Sequence, residues 1–315
     1  MKNLKIGAIG LMTLLSACSK DELISTKLEE TNFGSRRCAS MEILEAQIQA
    51  DPSRGSRLQE IDAFSDKFAE RPDNMRLVNG VYEIPVVVNV LYKTTAQNVS
   101  DAQIASQIEV LNKDYSGTNT DISSVPSAFQ SVKAGNANVR FVLSKVVRKK
   151  TTKTSWTTND AVKKSTGILP TTPTTSLNIW VCNLSGGILG YAQFPGGSSA
   201  TDGVVIDDNA FGTIGSVSAP FNKGRTATHE VGHWLNLRHI WGDATCGSDL
   251  VSDTPLHNTA NYGCPTSGHL STCTGKPVEM TMNYMDYTDD ACMYMFSTGQ
   301  KTRMLATFAS GGGRT

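Results

Sequence analysis

Eleven residues constrain this chain more than any other stretch. The run His229-Glu230-Val231-Gly232-His233-Trp234-Leu235-Asn236-Leu237-Arg238-His239 holds three of its five histidines. Residues four apart lie on one face of an α-helix, so His229 and His233 can present two imidazoles to one point, with Glu230 beside the first. Histidines on helices are commonly surface or satisfied core residues. With five histidines in 315 residues, however, the pattern H-E-x-x-H-x-x-x-x-x-H arises by accident on the order of once in ten thousand such chains. The spacing points to zinc, which at a catalytic site takes three protein ligands and keeps one position open. His239 is the candidate third ligand. A straight helix would rotate it off the shared face, so the chain has to leave the helix and turn back. Such a turn ends on a residue in the left-handed region, where glycine is usual and asparagine is the tolerated substitute. Asn236 stands there, at a penalty of about 1 kcal/mol relative to glycine, and is expected to have positive φ. His257 and His269 show no such spacing and receive no role.

The rest of the composition narrows the class. Lys+Arg and Asp+Glu both number 29, so there is no basic surplus of the kind that holds nucleic acid. The N-terminus reads as a signal peptide, with basic MKNLK, a short apolar run and small residues ending it. Leu15-Ser16-Ala17-Cys18 resembles a bacterial lipobox, which would make residues 1–17 the signal and Cys18 the lipidated first residue. The alternative is an ordinary secreted protein with a cysteine near its cleavage site. Ser19-Lys20-Asp21-Glu22 is similar to tags that send lipoproteins to the outer face of the outer membrane. No later apolar run reaches membrane-spanning length, so contact with a membrane is expected only through the lipid anchor, and the location is the cell envelope or, after processing, outside the cell. Six cysteines remain: Cys38, Cys182, Cys246, Cys264, Cys273 and Cys292. The last four suit two disulfides better than a structural zinc site, because they lack close C-x(2-4)-C pairs, and three connectivities are open to them.

Residues 18–78 read as a separate leader with helix-like patches in MEILEAQIQA and LQEIDAFSDKFAE. From Val81 the texture becomes strand-rich: VYEIPVVVNVLY, VRFVLSKVV, SLNIWVCNL and GVVI are strand candidates. DAQIASQIEVLNKDY repeats Ile104, Ile108 and Leu111 on one helical face behind Ser100 as cap. The chain after the histidine run is rich in Asp, Gly and Thr with little regular pattern, so its order is expected to come from disulfides and bound ions.

HEVGHWLNLRH, followed by the methionine in NYMDY at 283–287, resembles the metzincin zinc metalloproteases, and within them the ulilysin-like branch of the pappalysin family. LNIWVCNLSGGILGYAQFPGG, DGVVID, IWGD, SDTP and MFSTGQKTRM extend the resemblance over roughly residues 80–315; Asn236 departs from it. The resemblance implies an α+β fold of two subdomains. A twisted mixed sheet and the active-site helix would occupy residues 79–239, above an irregular, disulfide-stapled lower subdomain at 240–315. It implies protein or peptide substrates for a monomer, with Met285 as apolar floor under the zinc ligands and Tyr287 as a group able to swing to the metal or stabilise the oxyanion. It also implies the pairs Cys246-Cys273 and Cys264-Cys292. Cys38 in GSRRCAS resembles the cysteine switch of family proenzymes, occupying the fourth zinc position; a disulfide with Cys182 is its alternative. Calcium is implied in GDATCGSDLVSDTP, where Asp253 and Thr254, with Asp243 and Asp249, offer oxygens.

Physical need assigns the remaining role. Zinc would polarise the scissile carbonyl and acidify water, with Glu230 moving the proton to the leaving amine. The expected function is thus a zinc endopeptidase made as a latent proenzyme. A catalytically silent surface-binding lipoprotein on the same fold is the alternative, against which the intact Glu230 argues. A cysteine hydrolase built on Cys182 lacks any local motif. Some relatives cleave before Arg or Lys through an acidic residue next to the last cysteine; here that neighbour is Ala291, with Asp289 and Asp290 just before, which leaves the preference open. Arg54, Arg57, Arg71 and Arg76 are candidate maturation points.

Overall fold

A run dominated by valine and isoleucine favours extended chain, and Tyr82–Tyr92 forms β1. With β2 (Val139–Lys150), β3 (Leu177–Cys182), β4 (Gly190–Ala192) and β5 (Val204–Asp207) it makes a five-stranded sheet of order β2-β1-β3-β5-β4. The pairs β1/β2, β1/β3 and β3/β5 are parallel, and β4 lies antiparallel on β5 at the edge. The computed structural model describes Met1 and residues 34–70 and 80–314. The signal peptide, Cys18, Arg71 and Arg76 lie outside these residues.

Alternation along the strands decides what each face meets. Ile179, Val181, Val204 and Ile206 join the main core with Ala227 and Val231. Trp180, Cys182, Val205 and Tyr191 join a second cluster with Ala39 and Ile43. The helix α3 (Asp101–Ser116) fills the crossover from β1 to β2. Ser100 Oγ accepts the amide of Gln103 at its start, and Gly117, at φ 65°, ends it. The histidine run forms α4 (Arg225–Trp234), buried along its whole length.

Beyond α4 the chain carries little regular structure until α5 (Thr298–Ala306). Disulfides join Cys246 to Cys273 and Cys264 to Cys292, so this stretch is held covalently where it lacks strands. α5 was missed in the sequence. Its signal was a capping box, in which the side chains of Ser297 and Gln300 each accept the other's backbone amide. The strand β4 was missed as well, because three residues are too few to show alternation.

The leader is not a loose preface. Residues 34–70 share one unit with the rest of the chain. Its two helices are α1 (Ser40–Ala50) and α2 (Ser53–Glu70). Leu44 and Leu58 pack on Phe194, and Phe68 enters the main core. Arg54 is 3% exposed and donates to the carbonyls of Phe194 and Pro195, so it is closed to a processing protease in this state. Among the described residues no helix is long and apolar enough to cross a membrane.

Candidate active site

The site begins with the anchoring of α4. Arg225, at its first position, pairs with Asp114 at 3.1 Å and Asp121 at 3.1 Å. Thr228 Oγ1 donates to Asp114 Oδ2 at 2.7 Å, and Tyr115 Oη donates to the Thr228 carbonyl at 3.1 Å. The helix then stops in a Schellman motif. The amide of Leu237 donates to Gly232 O and that of Asn236 to His233 O, both at 2.9 Å, with Asn236 at φ 71°. This left-handed turn swings His239 back beneath the helix.

Three imidazoles converge as a result. His233 Nε2 lies 3.2 Å from His229 Nε2 and 3.1 Å from His239 Nε2, and all three residues are buried. The outer nitrogens are spoken for. His229 Nδ1 donates to Tyr284 O at 2.7 Å and His233 Nδ1 to Leu237 O at 2.7 Å, since a carbonyl can only accept. His239 Nδ1 faces Asp243 Oδ1 at 2.5 Å. With Nδ1 holding the proton, each Nε2 is left as a bare lone pair aimed at its neighbours. Burial, followed by the other histidines, pushes the pKa of His229 well below its ordinary value, and the same causes act on His233. Neutral lone pairs crowded at one buried point suit a cation and little else, so the donor set fits zinc.

Around this point stand further groups. Cys38 Sγ belongs to the same cluster, in which all four ligand atoms lie within 4.8 Å of one another. Among the described residues it is the one such group of three or more. Glu230 Oε2 accepts from Ser40 Oγ at 2.8 Å and from Cys38 Sγ at 3.3 Å. Burial raises the Glu230 pKa to about 7, against the lowering effect of the Ser40 and Cys38 hydrogen bonds. β4 crosses directly over this carboxylate: a Cβ on Gly190 would sit 2.8 Å from Glu230 Cγ, so only glycine allows the approach. Below, a Cβ on Gly232 would fall 2.5 Å from Met285 Sδ, which puts Met285 against the underside of α4. Tyr287 Oη donates to Cys38 O at 3.1 Å.

The leader threads this cleft along β4. Cys38 forms a parallel bridge with Gly190, with Leu189 N donating to Arg37 O and Ala39 N to Gly190 O. Two residues before the thiol, Arg36 reaches Asp290 Oδ1 at 2.5 Å, with both side chains buried. It also donates to Thr226 Oγ1 and Thr288 O. Asp290 Oδ2 accepts from the amides of Lys223 and Arg225, so this carboxylate is fixed beside the start of α4.

Sequence reasoning missed Ser40 and Arg36, and it named Asp290 without assigning it a role. It sought an acid next to Cys292 and found Ala291, one residue short, because the 3-10 turn Asp290–Cys292 rolls Asp290 inward. His257 turns out to be a buried brace whose Nε2 accepts the amide of Met280 at 2.9 Å. Cys182 is a separate buried thiol and not bonded to Cys38, and burial pushes its pKa up, which disarms it as a nucleophile. The acids of the loop after His239 have protein partners. Asp253 accepts from Ser297 Oγ at 2.6 Å and from the Gly299 amide at 2.8 Å, and Thr254 Oγ1 donates to Asp249 at 2.9 Å. The calcium reading gains nothing from this geometry.

Comparison with known proteins agrees with the shape of this site. The family model of pregnancy-associated plasma protein-A matches residues 172–309. An extracellular metalloprotease of Pyricularia oryzae is 33% identical over 91% of this chain and 92% of its own length. One from Arthroderma otae is 31% identical over 81% and 87%. Among solved structures, a point mutant of Tannerella forsythia promirolysin superposes with a TM-score of 0.80 at 41% identity, covering 89% of this chain and 95% of that one. Mature mirolysin in complex with a cleaved peptide gives 0.71 at 46% identity, over 74% and 94%.

The buried Arg36–Asp290 pair yields a first prediction. Arg36→Ala strands an uncompensated carboxylate and is expected to destabilise the full-length chain by about 3–5 kcal/mol. Urea unfolding measures this, and a loss below about 1 kcal/mol would show that solvent reaches Asp290.

Proposed function

The chain belongs to the pappalysin family of metalloproteases and is a metalloendopeptidase dependent on zinc; from that premise we propose that it is made as a latent precursor with His229, His233 and His239 as the zinc ligands. Glu230 is its proton-transfer group, and residues 18–78 form a pro-segment whose Cys38 takes the fourth metal position. The observation that carries this reading is the convergence of three bare imidazole nitrogens, a carboxylate and a thiol in one buried cluster.

Zinc bound there supplies the Lewis acidity that polarises a peptide carbonyl and acidifies water. The protein's part is proton handling and alignment. Glu230 takes a proton from the attacking water and delivers it to the leaving nitrogen, a task suited to a carboxyl whose pKa is raised to about 7. Tyr287 Oη already donates to a peptide carbonyl in the cleft, that of Cys38, and that carbonyl stands in for the substrate's. The same hydrogen bond would stabilise an oxyanion. Met285 serves as the floor under α4.

Latency follows from the same contacts. Ser40 and Cys38 occupy Glu230 Oε2, the oxygen that would hold water. Burial and the nearby Glu230 push the Cys38 pKa well up, so its thiolate needs a cation beside it, as the switch requires. Promirolysin covers 89% of this chain and mature mirolysin 74%, which supports the presence of a pro-segment. Arg36 in its acidic recess supports cleavage before Arg or Lys, with Asp290 as the recognising carboxylate. Relatives named as extracellular support export, and the lipid anchor at Cys18 rests on the lipobox alone.

Three measurements test this function. Glu230→Ala is expected to lower casein cleavage by processed protein about 10²–10⁴-fold, and phenanthroline to abolish it; activity surviving either treatment refutes the zinc mechanism. Cys38→Ala should give a precursor active before processing, and unchanged latency would remove the switch. Among quenched peptides differing only after the scissile bond, those with Arg or Lys there should be cut at least tenfold faster than those with Leu, whereas equal rates would strip Asp290 of its role.

A further inference from the structure

The outer side of the turn that delivers His239 carries a second carboxylate site. Asn236 Nδ2 donates to Asp62 Oδ1 at 3.2 Å, and Arg238 Nη2 donates to Asp62 Oδ2 at 2.9 Å. Arg303 of α5 also donates to Asp62 Oδ1. Arg303 Nε in turn donates to Asn236 O at 2.7 Å, so the three donors form one cradle built from the motif turn and α5. The carboxylate comes from α2, far in sequence from both.

Two features show that this cradle is shaped for its ligand. First, Arg238 and Arg303 bring two positive charges together, and Asp62 is the carboxylate that pairs with each. Arg303 is 3% exposed, where an uncompensated cation is costly. Second, the turn itself needs only a residue tolerant of φ 71°, which glycine satisfies with less strain. Glycine has no amide to offer Asp62. The Asn236 Oδ1 is buried without a hydrogen-bond partner, so the side chain's polar contact is made through Nδ2. Elsewhere on α2, Ile61 packs beside Gly196 and Gly313, and Phe64 beside Gly311.

We propose that Asn236, Arg238 and Arg303 form a carboxylate-binding site whose ligand is Asp62, and that this site anchors α2 to the catalytic chain independently of Cys38. The inference rests on the reading of residues 18–78 as a pro-segment. To the contacts of Arg36, Arg54, Leu58 and Phe68 it adds a charged hold on the reverse of the turn whose other side faces Cys38. Asn236 departs from the usual glycine because the precursor uses its side chain.

Hydrogen exchange on the full-length chain tests this, in a Glu230→Gln background that keeps the segment attached. Asp62→Asn is expected to speed exchange of the α2 amides at least tenfold while leaving residues 36–44 and strand β3 unchanged. Asn236→Gly should speed α2 exchange about threefold, through loss of one donor of the three. Cys38→Ser should do the converse of Asp62→Asn, loosening residues 36–44 and sparing α2. Unchanged α2 protection in Asp62→Asn overturns the proposal, and so does a Cys38→Ser variant that frees α2 as fully. Should Asp62→Asn also loosen β3, the Asn236→Gly result decides alone. Failure of the cysteine switch would appear separately, as unchanged latency of Cys38→Ala, and would leave these exchange rates where they are.

Discussion

Three imidazole lone pairs aimed at one buried point repel one another, and much of the chain is organised to keep them there. Each ring is held by its far nitrogen, and each partner comes from a different place: Tyr284 beside Met285, Leu237 in the motif turn, and Asp243 in the loop beyond. Such outer contacts fix the tautomer as well as the angle, so they decide that each Nε2 faces the common point. A cluster specified by eleven residues is therefore assembled by three segments. The helix supplies two of its imidazoles, but it cannot orient them alone.

This dependence explains why the lower half tolerates so little regular structure yet must be rigid. Ile240 N donates to Met285 O, tying the end of the motif to the segment that carries Tyr284. Asn283 fixes that segment from below, through Met285 N and a reciprocal pair of hydrogen bonds with Gln300 of α5. The His257 brace and the two disulfides hold the intervening chain. The loops of 27 and 28 residues closed by the disulfides restrict the unfolded state by about 3.5 kcal/mol apiece in the chain-entropy account. That restraint replaces what a sheet would provide elsewhere. Met280, Met282, Met285, Met293 and Met295, all buried, fill the uneven gaps that irregular chain leaves.

The sequence was most legible where chemistry demanded fixed spacing. His229, His233 and His239 could be read as a cluster because imidazole geometry and helical pitch leave few alternatives, and the positive φ of Asn236 followed from the need to turn. The long strands and α3 were legible because burial imposes period. What stayed hidden depends on distant partners. Nothing local marks Ser40 as a donor to Glu230, 190 residues away, nor Asp290 as the partner of Arg36, 254 residues away. β4 was too short to show alternation, although its Gly190 had to be glycine for the strand to pass over Glu230. Nor does composition show that Asp253, read in the sequence as a calcium ligand, also accepts from Ser297 and Gly299 at the start of α5.

The leader shows how one segment can satisfy a site it also blocks. Without the leader, Glu230 and Asp290 would lose the partners that now cover them. Arg36 neutralises the acid, Ser40 and Cys38 hydrogen-bond the carboxyl, and Tyr287 is given a peptide carbonyl to hold. Asp290, Glu230 and Tyr287 are thus all engaged by residues 36–40. A plug that meets the site's polar needs this fully adds stability to the precursor in proportion to how well it imitates substrate. Imitation alone would also make the plug a substrate. What separates the two is the thiol: beside the histidine nitrogens the leader presents sulfur, at the same Glu230 oxygen that Ser40 engages.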